Sequence, residues 1–269
     1  MKPVPWVCLM YHDVVTRGPM GGGGPERFTV TRGAFAAMLD WVRAEGYAGC
    51  SLETALRPGS HRPVAITFDD GTSGQFENAA PALVERGMTA TFFVVTDWVG
   101  TPGFMTWDEL RQLKAWGMSV QSHSRSHPHM SEIDEARLRS ELADSKARLD
   151  EELAQETTQI ALPAGDKPRR GFRHLFGEVG YRVVATSRWG TNARDAREAG
   201  AAAVWIRRCT VPRELDRELA LRILAADARL GLTRYWREAA LNAVRAGLGA
   251  SRYARWRRKL LHLIDRPAS

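Results

Sequence analysis

Ala65-Ile66-Thr67-Phe68-Asp69-Asp70-Gly71 sets two adjacent carboxylates between a short apolar run and a glycine, and the reading of this stretch decides the fold. Val64 to Phe68 is compact, β-branched or aromatic, and ends in turn residues, the pattern of a buried strand. Asp69 and Asp70 then fall where that strand ends, and Gly71 lets the chain turn sharply. Successive strand side chains point to opposite faces, so the two aspartates are expected to do different jobs, one facing a metal and the other a substrate. Taken alone, Asp-Asp-Gly is also an ordinary solvated turn.

A second cluster changes that balance. Gln121-Ser122-His123-Ser124-Arg125-Ser126-His127-Pro128-His129 follows Met118 to Gln121, another short run that reads as a strand end, and holds three of the chain's 7 histidines. Imidazole is the commonest protein ligand for zinc-like metals, and two histidines plus one carboxylate leave positions open for water and substrate. By itself the His123 and His127 pair is weak evidence for a metal, because surface histidines are frequent. Coupled to Asp69 and Asp70 at a strand end, it points to a metal centre.

Outward from these motifs, strands alternate with helices. Thr31 reads as the N-cap of a helix with Phe35, Met38, Leu39, Trp41 and Val42 as its apolar stripe, closed by Gly46. Gln75 to Arg86 and Trp107 to Trp116 repeat the pattern, and Thr89 to Val95 is a strand. Ile133 to Gln155 reads as a long helix buried through Leu138, Leu142, Ala143, Leu149 and Leu153, its charges forming a wet face. Gln159 to Leu162, Arg182 to Thr186 and Ala203 to Ile206 follow as strands, with helices over Phe172 to Gly180 and Arg213 to Leu230. This alternation implies a parallel sheet, and with about seven such units a closed or nearly closed barrel is the economical form. The expected class is therefore α/β, a distorted (β/α)7-8 barrel. His12, Asp69, Asp70, His123, His127, Pro163 and Asn192 all fall just after expected strands, so one barrel face could collect them.

Thr67-Phe68-Asp69-Asp70-Gly71 and His123-Ser124-Arg125-Ser126-His127-Pro128 resemble the first two signature motifs of the polysaccharide deacetylases, the NodB-type carbohydrate esterases of family four. Leu9 to Val14, Pro81-Ala82-Leu83, Ala90 to Val94 and Met105-Thr106-Trp107 sit where that family places similar segments, so the resemblance spans residues 4 to 212. It implies a NodB-type barrel, Asp69 as catalytic base, and Asp70, His123 and His127 as ligands of a divalent metal, zinc first among them. It also implies an oxyanion donor in the N–H of Ala164, within Leu162-Pro163-Ala164-Gly165-Asp166. The proline-x-glycine form of that segment and Tyr11-His12-Asp13 are nearer to the poly-N-acetylglucosamine deacetylase branch. Two departures stand out. Relatives carry an arginine two residues before the proline to orient the catalytic aspartate, where this chain has Ala161, and Arg169, Arg170 and Arg173 cannot be given that role. Relatives also carry a late histidine as general acid, which Ile206 to Val211 lacks, so His12 is the candidate substitute.

The chemistry suits amide hydrolysis. An acetamide is a poor electrophile and water a poor nucleophile, and a divalent metal that acidifies water and polarises a carbonyl meets both needs. The expected reaction is removal of N-acetyl groups from an N-acetylated sugar or polysaccharide precursor. An esterase or cyclic-amide hydrolase on the same scaffold, and a catalytically weak carbohydrate-binding or scaffolding protein, are the alternatives. Asn192 could hydrogen-bond sugar hydroxyls or serve only as a turn residue, and among the 9 tryptophans Trp98, Trp107 and Trp189 lie near strand-to-helix loops and are candidates to stack on sugars.

The 269-residue chain carries a formal charge of +7, and its distribution matters more than its size. Residues 231–269 hold nine basic side chains against Glu238 and Asp265, so the tail accounts for the whole excess. Two parts are expected, a barrel domain over 1–230 and a basic amphipathic helical tail over 231–269, with Tyr253, Trp256, Leu260, Leu263 and Ile264 on one side of the helix. Such a helix can lie on an anionic membrane or pack on the barrel; nucleic acid is not the expected partner, because the body is neutral. The start of the chain lacks a secretion-signal pattern, and Cys8, Cys50 and Cys209 are odd in number and scattered, fitting a reducing compartment. The expectation is a cytoplasmic protein, peripheral at the inner membrane face and acting on a lipid-linked or nucleotide-linked sugar. Pro-Met-Gly-Gly-Gly-Gly-Pro at 19–25 reads as a flexible loop.

Overall fold

The apolar runs read as strands line up side by side and in parallel. In chain order the elements are β1 (Val7–Tyr11), β2 (Asp13–Val15), β3 (Thr29–Thr31), α1 (Arg32–Ala44), β4 (Ala48–Cys50), α2 (Leu52–Leu56), β5 (Pro63–Phe68), a π-turn (Gln75–Ala79) running into α3 (Ala80–Val84), β6 (Thr91–Val94), α4 (Trp107–Ala115), β7 (Ser119–Ser122), α5 (Glu135–Leu153), β8 (Gln159–Ala161), short 3-10 turns (Pro163–Gly165 and Arg170–Phe172), α6 (Leu175–Val179), β9 (Val183–Ala185), β10 (Val204–Ile206), β11 (Cys209–Thr210) and α7 (Arg217–Leu224). They come from a computed structural model that describes residues 5–16, 29–192, 203–227 and 229–230. Met1–Ala226 forms one unit and Asp227–Ser269 another. The glycine run at 19–25 and the basic tail at 231–269 lie outside the described residues.

β1 and β5 run in register from Val7 opposite Val64 to Tyr11 opposite Phe68, and both are buried along their whole length, as strands covered on both faces must be. The amino half of β5 also pairs with β4 and its carboxyl half with β6. The full path is β10-β9-β8-β7-β6-β5-β1-β11, parallel strands curled into a half-barrel. The distorted-barrel expectation is met, with a particular seam. β10 ends at Ile206 on one edge and β11 begins at Cys209 on the other, so Arg207 and Arg208 alone carry the chain between the two edges of the sheet.

Period-two alternation sorts the strand side chains. Cys8, Ala65, Phe93, Ala161, Ala185 and Ile206 pack together with Leu52 and Ala55 of α2, while Ile160, Leu162 and Val184 pack with Leu138 and Leu142 of α5 and Leu175 and Phe176 of α6. Thr31 caps α1 by accepting from Ala34 N–H, and Thr106 with Glu109 forms a reciprocal capping box on α4. α5 differs from its expected reading. Its buried stripe is Leu138, Glu141, Leu142, Ser145, Leu149 and Leu153, so a glutamate expected on the wet face is inside and Ala143 is only half-buried. The spacing of that stripe is helical; a polar residue within it is what hid it from a hydrophobicity reading.

Candidate metal centre

The chain leaves β5 at Asp69 and takes a left-handed turn at Asp70, with φ 76°. That turn, rather than strand alternation, separates the two aspartates. Asp70 faces the loop after β7, where its Oδ1 lies 3.4 Å from His123 Nε2 and 3.6 Å from His127 Nε2. One ligand atom from each of the three residues falls within 4.8 Å of the others. Ligands about 2.0–2.2 Å from a shared ion stand roughly 3.0–3.5 Å apart at tetrahedral or octahedral angles, so the oxygen-to-nitrogen spacings fit a bound cation. The His123 ring is oriented by its Nδ1, 3.0 Å from the Ala161 carbonyl oxygen, which turns Nε2 toward Asp70 as a backbone-anchored metal ligand requires. His127 is stacked on Trp98 with ring centroids 5.1 Å apart. His123 is 1% exposed and His127 25%, so the cluster is closed on one side and open on the other, as a catalytic site must be.

The electrostatics ask for positive charge. Burial alone would raise Asp70, but His123, His12 and His127 beside it hold its carboxyl well below the usual range. Burial would lower His123, yet the charges of Asp69 and Asp70 outweigh it and its pKa is raised. His127, partly buried and next to His123, is lowered to about 4 and is neutral at pH 7.

The loop carrying both histidines is strained and held from behind. Ser124 and His127 both have positive φ, 69° and 60°, a conformation that costs a non-glycine residue about 1 kcal/mol or more and persists only where the surroundings enforce it. Glu141 of α5 is the enforcing group. Its side chain is 0% exposed, and it accepts from the N–H of Arg125 at 3.1 Å, the N–H of Ser126 at 2.8 Å and the Ser126 hydroxyl at 2.6 Å, while Arg137 balances its charge at 2.7 Å. Ser124 Oγ accepts from His127 N–H at 3.0 Å, and Ser122 Oγ from Ser124 N–H at 3.1 Å.

Asp69 points elsewhere, into the seam. Arg208, 0% exposed, donates to both its oxygens at 2.6 and 2.7 Å and also to the Thr186 carbonyl at 3.0 Å. Burial raises Asp69, but Arg208 and His123 more than offset this and its pKa is lowered. His12 is at the end of β1, close enough for the Asp69 and Asp70 charges to act on it; burial nevertheless dominates and lowers its pKa. Ala164 has φ 52° inside the 163–165 turn, whose backbone bonds, Gly165 N–H to Leu162 and Asp166 N–H to Pro163, do not use the Ala164 N–H. Gly165 has φ 64°, and a Cβ there would meet Ser187 Oγ at 2.7 Å, so only glycine lets this turn press against the chain after β9.

The expected sugar contacts fare differently. Both ends of the Asn192 amide are spent on the Arg207 backbone, Nδ2 donating to its carbonyl at 2.9 Å and Oδ1 accepting from its N–H at 2.8 Å. Asn192 thus ties the seam to the chain after β9 instead of presenting its amide to a ligand. Trp107 is half-buried, lies under Arg148 at 5.5 Å, and lines a cavity of about 390 Å³ with Asp97, Arg125, Asp144 and Arg148. That cavity shares Arg125 with the histidine loop and none of the candidate ligands. Trp189 is half-buried in the turn after β9.

The sequence pattern of the family described as polysaccharide deacetylase matches residues 57–184, a span that contains Asp69, Asp70, His123 and His127. Over that span the chain is similar to the polysaccharide deacetylases. It is 29% identical over 201 residues to YxkH of Bacillus subtilis (strain 168), whose name also assigns it to the polysaccharide deacetylases, covering 72% of this chain and 68% of that protein. A more distant relative is the poly-beta-1,6-N-acetyl-D-glucosamine N-deacetylase of Staphylococcus epidermidis, 23% identical over 138 residues, 44% of this chain and 48% of that one. In fold the chain resembles the Streptococcus pyogenes deacetylase PplD, solved in complex with acetate, with a TM-score of 0.73 and 24% identity over 82% of this chain and 99% of that one.

Against the family pattern, the arginine that Ala161 replaces in sequence is not lost in space. Arg208 reaches the aspartate from the seam, whereas Arg169, Arg170 and Arg173 are exposed. Arg208 lies within Ile206 to Val211, the segment in which relatives carry the late histidine. Alternation beyond β10, which puts Arg208 inward and Arg207 outward, is the one signal that could have found it. His129 is exposed, and all three cysteines are buried and free. No helix among the described residues is long and apolar enough to cross a membrane.

Proposed function

We propose that the chain is a metal-dependent deacetylase that removes N-acetyl groups from an N-acetylated sugar or polysaccharide precursor. The observation that carries this reading is the convergence of Asp70, His123 and His127 within 4.8 Å beside Asp69, a second carboxylate outside the cluster and held ionised by Arg208. Asp70, His123 and His127 would hold a divalent ion, with zinc first among the candidates for imidazole-rich sites. Such an ion supplies Lewis acidity, making water easier to deprotonate and the acetyl carbonyl easier to attack.

The chain's own residues would do the rest. Asp69 takes the proton of the attacking water, and Arg208 fixes the plane of that carboxylate. The Ala164 N–H, left out of its own turn's hydrogen bonds, donates to the oxyanion that forms, a contribution of about 3 kcal/mol in comparable sites. His12 gives a proton to the leaving amine. Because burial lowers its pKa, His12 begins the cycle neutral, so the proton taken from water must reach it before the carbon–nitrogen bond breaks. Trp107 and Trp189 would flank the sugar at the rim. The basic tail would hold the protein against the anionic inner face of the membrane, on the cytoplasmic side, near lipid-linked glycans.

Acetate release from a panel of N-acetylated and O-acetylated glycans, with and without chelator, tests this reading. N-acetyl substrates are expected to react, chelator to abolish the reaction, and Asp69→Asn to lower kcat by at least about 100-fold. Release from O-acetyl substrates alone would replace the reading with an esterase, and chelator-resistant release would remove the metal from it.

A further inference from the structure

The seam and the 163–165 turn bring together a group of cations that the proposed chemistry does not use. Lys167 follows the turn that presses Gly165 onto Ser187. Arg188 is the next residue after Ser187, and its carbonyl accepts from Arg208 N–H at 2.9 Å. The Arg207 side chain folds over the same segment, its Nη1 3.1 Å from where a Cβ on Gly190 would stand. Arg173 lies over the Trp205 ring at 5.4 Å, on the β10 side of the group. Three loops, after the neighbouring strands β8, β9 and β10, thus carry one lysine and three arginines at the end of the sheet that also holds Ala164 and the Arg208–Asp69 pair.

Among the described residues these cations have no carboxylate partner. Burial first, and then the charges of Arg188, Arg173 and Arg207, lower the pKa of Lys167, so each of the three arginines acts on the lysine. None of the four is ion-paired among the described residues, whereas Arg208, Arg139 and Arg182 all have carboxylate partners. Two described acids close in sequence are engaged elsewhere. Asp166 accepts from the Ser131 N–H and hydroxyl, and Glu178 is held by Arg139 and His174. Packing like charges together without counter-ions costs stability, and guanidinium forks beside an ammonium match the geometry of phosphate oxygens.

We propose that Lys167, Arg173, Arg188 and Arg207 form a subsite for a diphosphate, so that the substrate is an N-acetylated sugar carried on a diphosphate leaving group or anchor. The identity of the substrate rests on the deacetylase reading; the anion site does not. Four cations exceed what the single charge of a uronate needs and suit the two or three charges of a diphosphate. The chemistry also places the site well. In a 2-acetamido sugar 1-diphosphate the acetyl group and the first phosphate sit on adjacent ring carbons, so an anion subsite belongs beside the Ala164 turn and not on a remote face.

The test uses the metal-loaded protein and inorganic pyrophosphate as probe, followed by calorimetry. Wild type is expected to bind, and Lys167→Gln/Arg188→Gln and Arg173→Gln/Arg207→Gln each to weaken binding at least about tenfold, the loss expected for one or more charge-assisted contacts. Arg43→Gln on α1 serves as a control for general charge and should leave binding unchanged. Acetate release is then compared for a nucleotide diphosphate N-acetylglucosamine, a polyprenyl diphosphate N-acetylglucosamine and a neutral N-acetylglucosamine oligomer. The paired variants should lose kcat/KM on a diphosphate sugar and keep it on the oligomer, and which diphosphate reacts identifies the carrier. Pyrophosphate binding that is absent, or equal in wild type and both paired variants, overturns the proposal. Loss of binding in the variants with no acetate released from any substrate would uphold the anion site and sink the deacetylase reading instead.

Discussion

Replacing Arg208 with methionine keeps most of the side-chain volume and removes the charge opposite Asp69. Both partners are all but inaccessible, 0% and 3% exposed, and the pair is bidentate at 2.6 and 2.7 Å. The variant therefore leaves a buried carboxylate without its ion-pair partner, and breaking a buried pair from one side costs about 3–5 kcal/mol. Against a total stability of roughly 5–15 kcal/mol, that is a large shift in the denaturation midpoint. The cost comes chiefly from the orphaned charge, so Arg208→Met/Asp69→Asn should recover about 2–3 kcal/mol of it, because replacing both partners removes the desolvated ion. Guanidinium unfolding of the four members of this cycle, at one pH and one metal concentration, gives the coupling energy directly. Acetate release should fall in Arg208→Met as well, since the carboxylate loses the fork that fixes its plane. A single variant within about 0.5 kcal/mol of wild type, with additive double-variant behaviour, would refute the claim that Arg208 holds Asp69 ionised.

Glu141→Ala removes the carboxylate that gathers the Arg125 and Ser126 amides and the Ser126 hydroxyl. It should weaken divalent-metal affinity about 10–100-fold, the range for loss of a group that orients ligands, as measured by competition with a chromophoric chelator; unchanged affinity in the folded variant contradicts the assignment. Ala154→Gly, at the left-handed C-cap of α5 with φ 45°, should stabilise the protein by about 0.5–1 kcal/mol, and a lower Tm would count against that reading of the cap. Metal at about 100 times its Kd should add about 2.7 kcal/mol to wild-type stability and nothing to His123→Ala, a contrast that thermal unfolding with and without metal resolves.

Asp70, His123 and His127 were legible because each lies within a few residues of a strand end and the three belong to two compact motifs. The barrel was legible for a similar reason, since apolar runs alternating with amphipathic helices leave few other arrangements. Arg208 was not, because its partner is 139 residues away in sequence, and nothing local marks an arginine at a strand exit as inward-facing. Glu141 was hidden among the other charges of α5, where composition reads as solvent. The positive φ of Asp70, Ser124, His127 and Ala164 is a product of tertiary packing that residue type does not announce. Asn192 is the converse case: an amide after a strand looks the same in sequence whether it is free for a ligand or, as here, bonded to the backbone of Arg207.

The central claim is that Asp70, His123 and His127 jointly bind one divalent ion. Metal content after equilibrium dialysis against zinc, compared between wild type and His123→Ala/His127→Ala, tests it most directly. The account predicts about one tightly bound ion per chain in wild type, as a single mononuclear site requires, and its loss in the double variant with the fold intact by circular dichroism. Equal zinc in both proteins, or none in either, would contradict it.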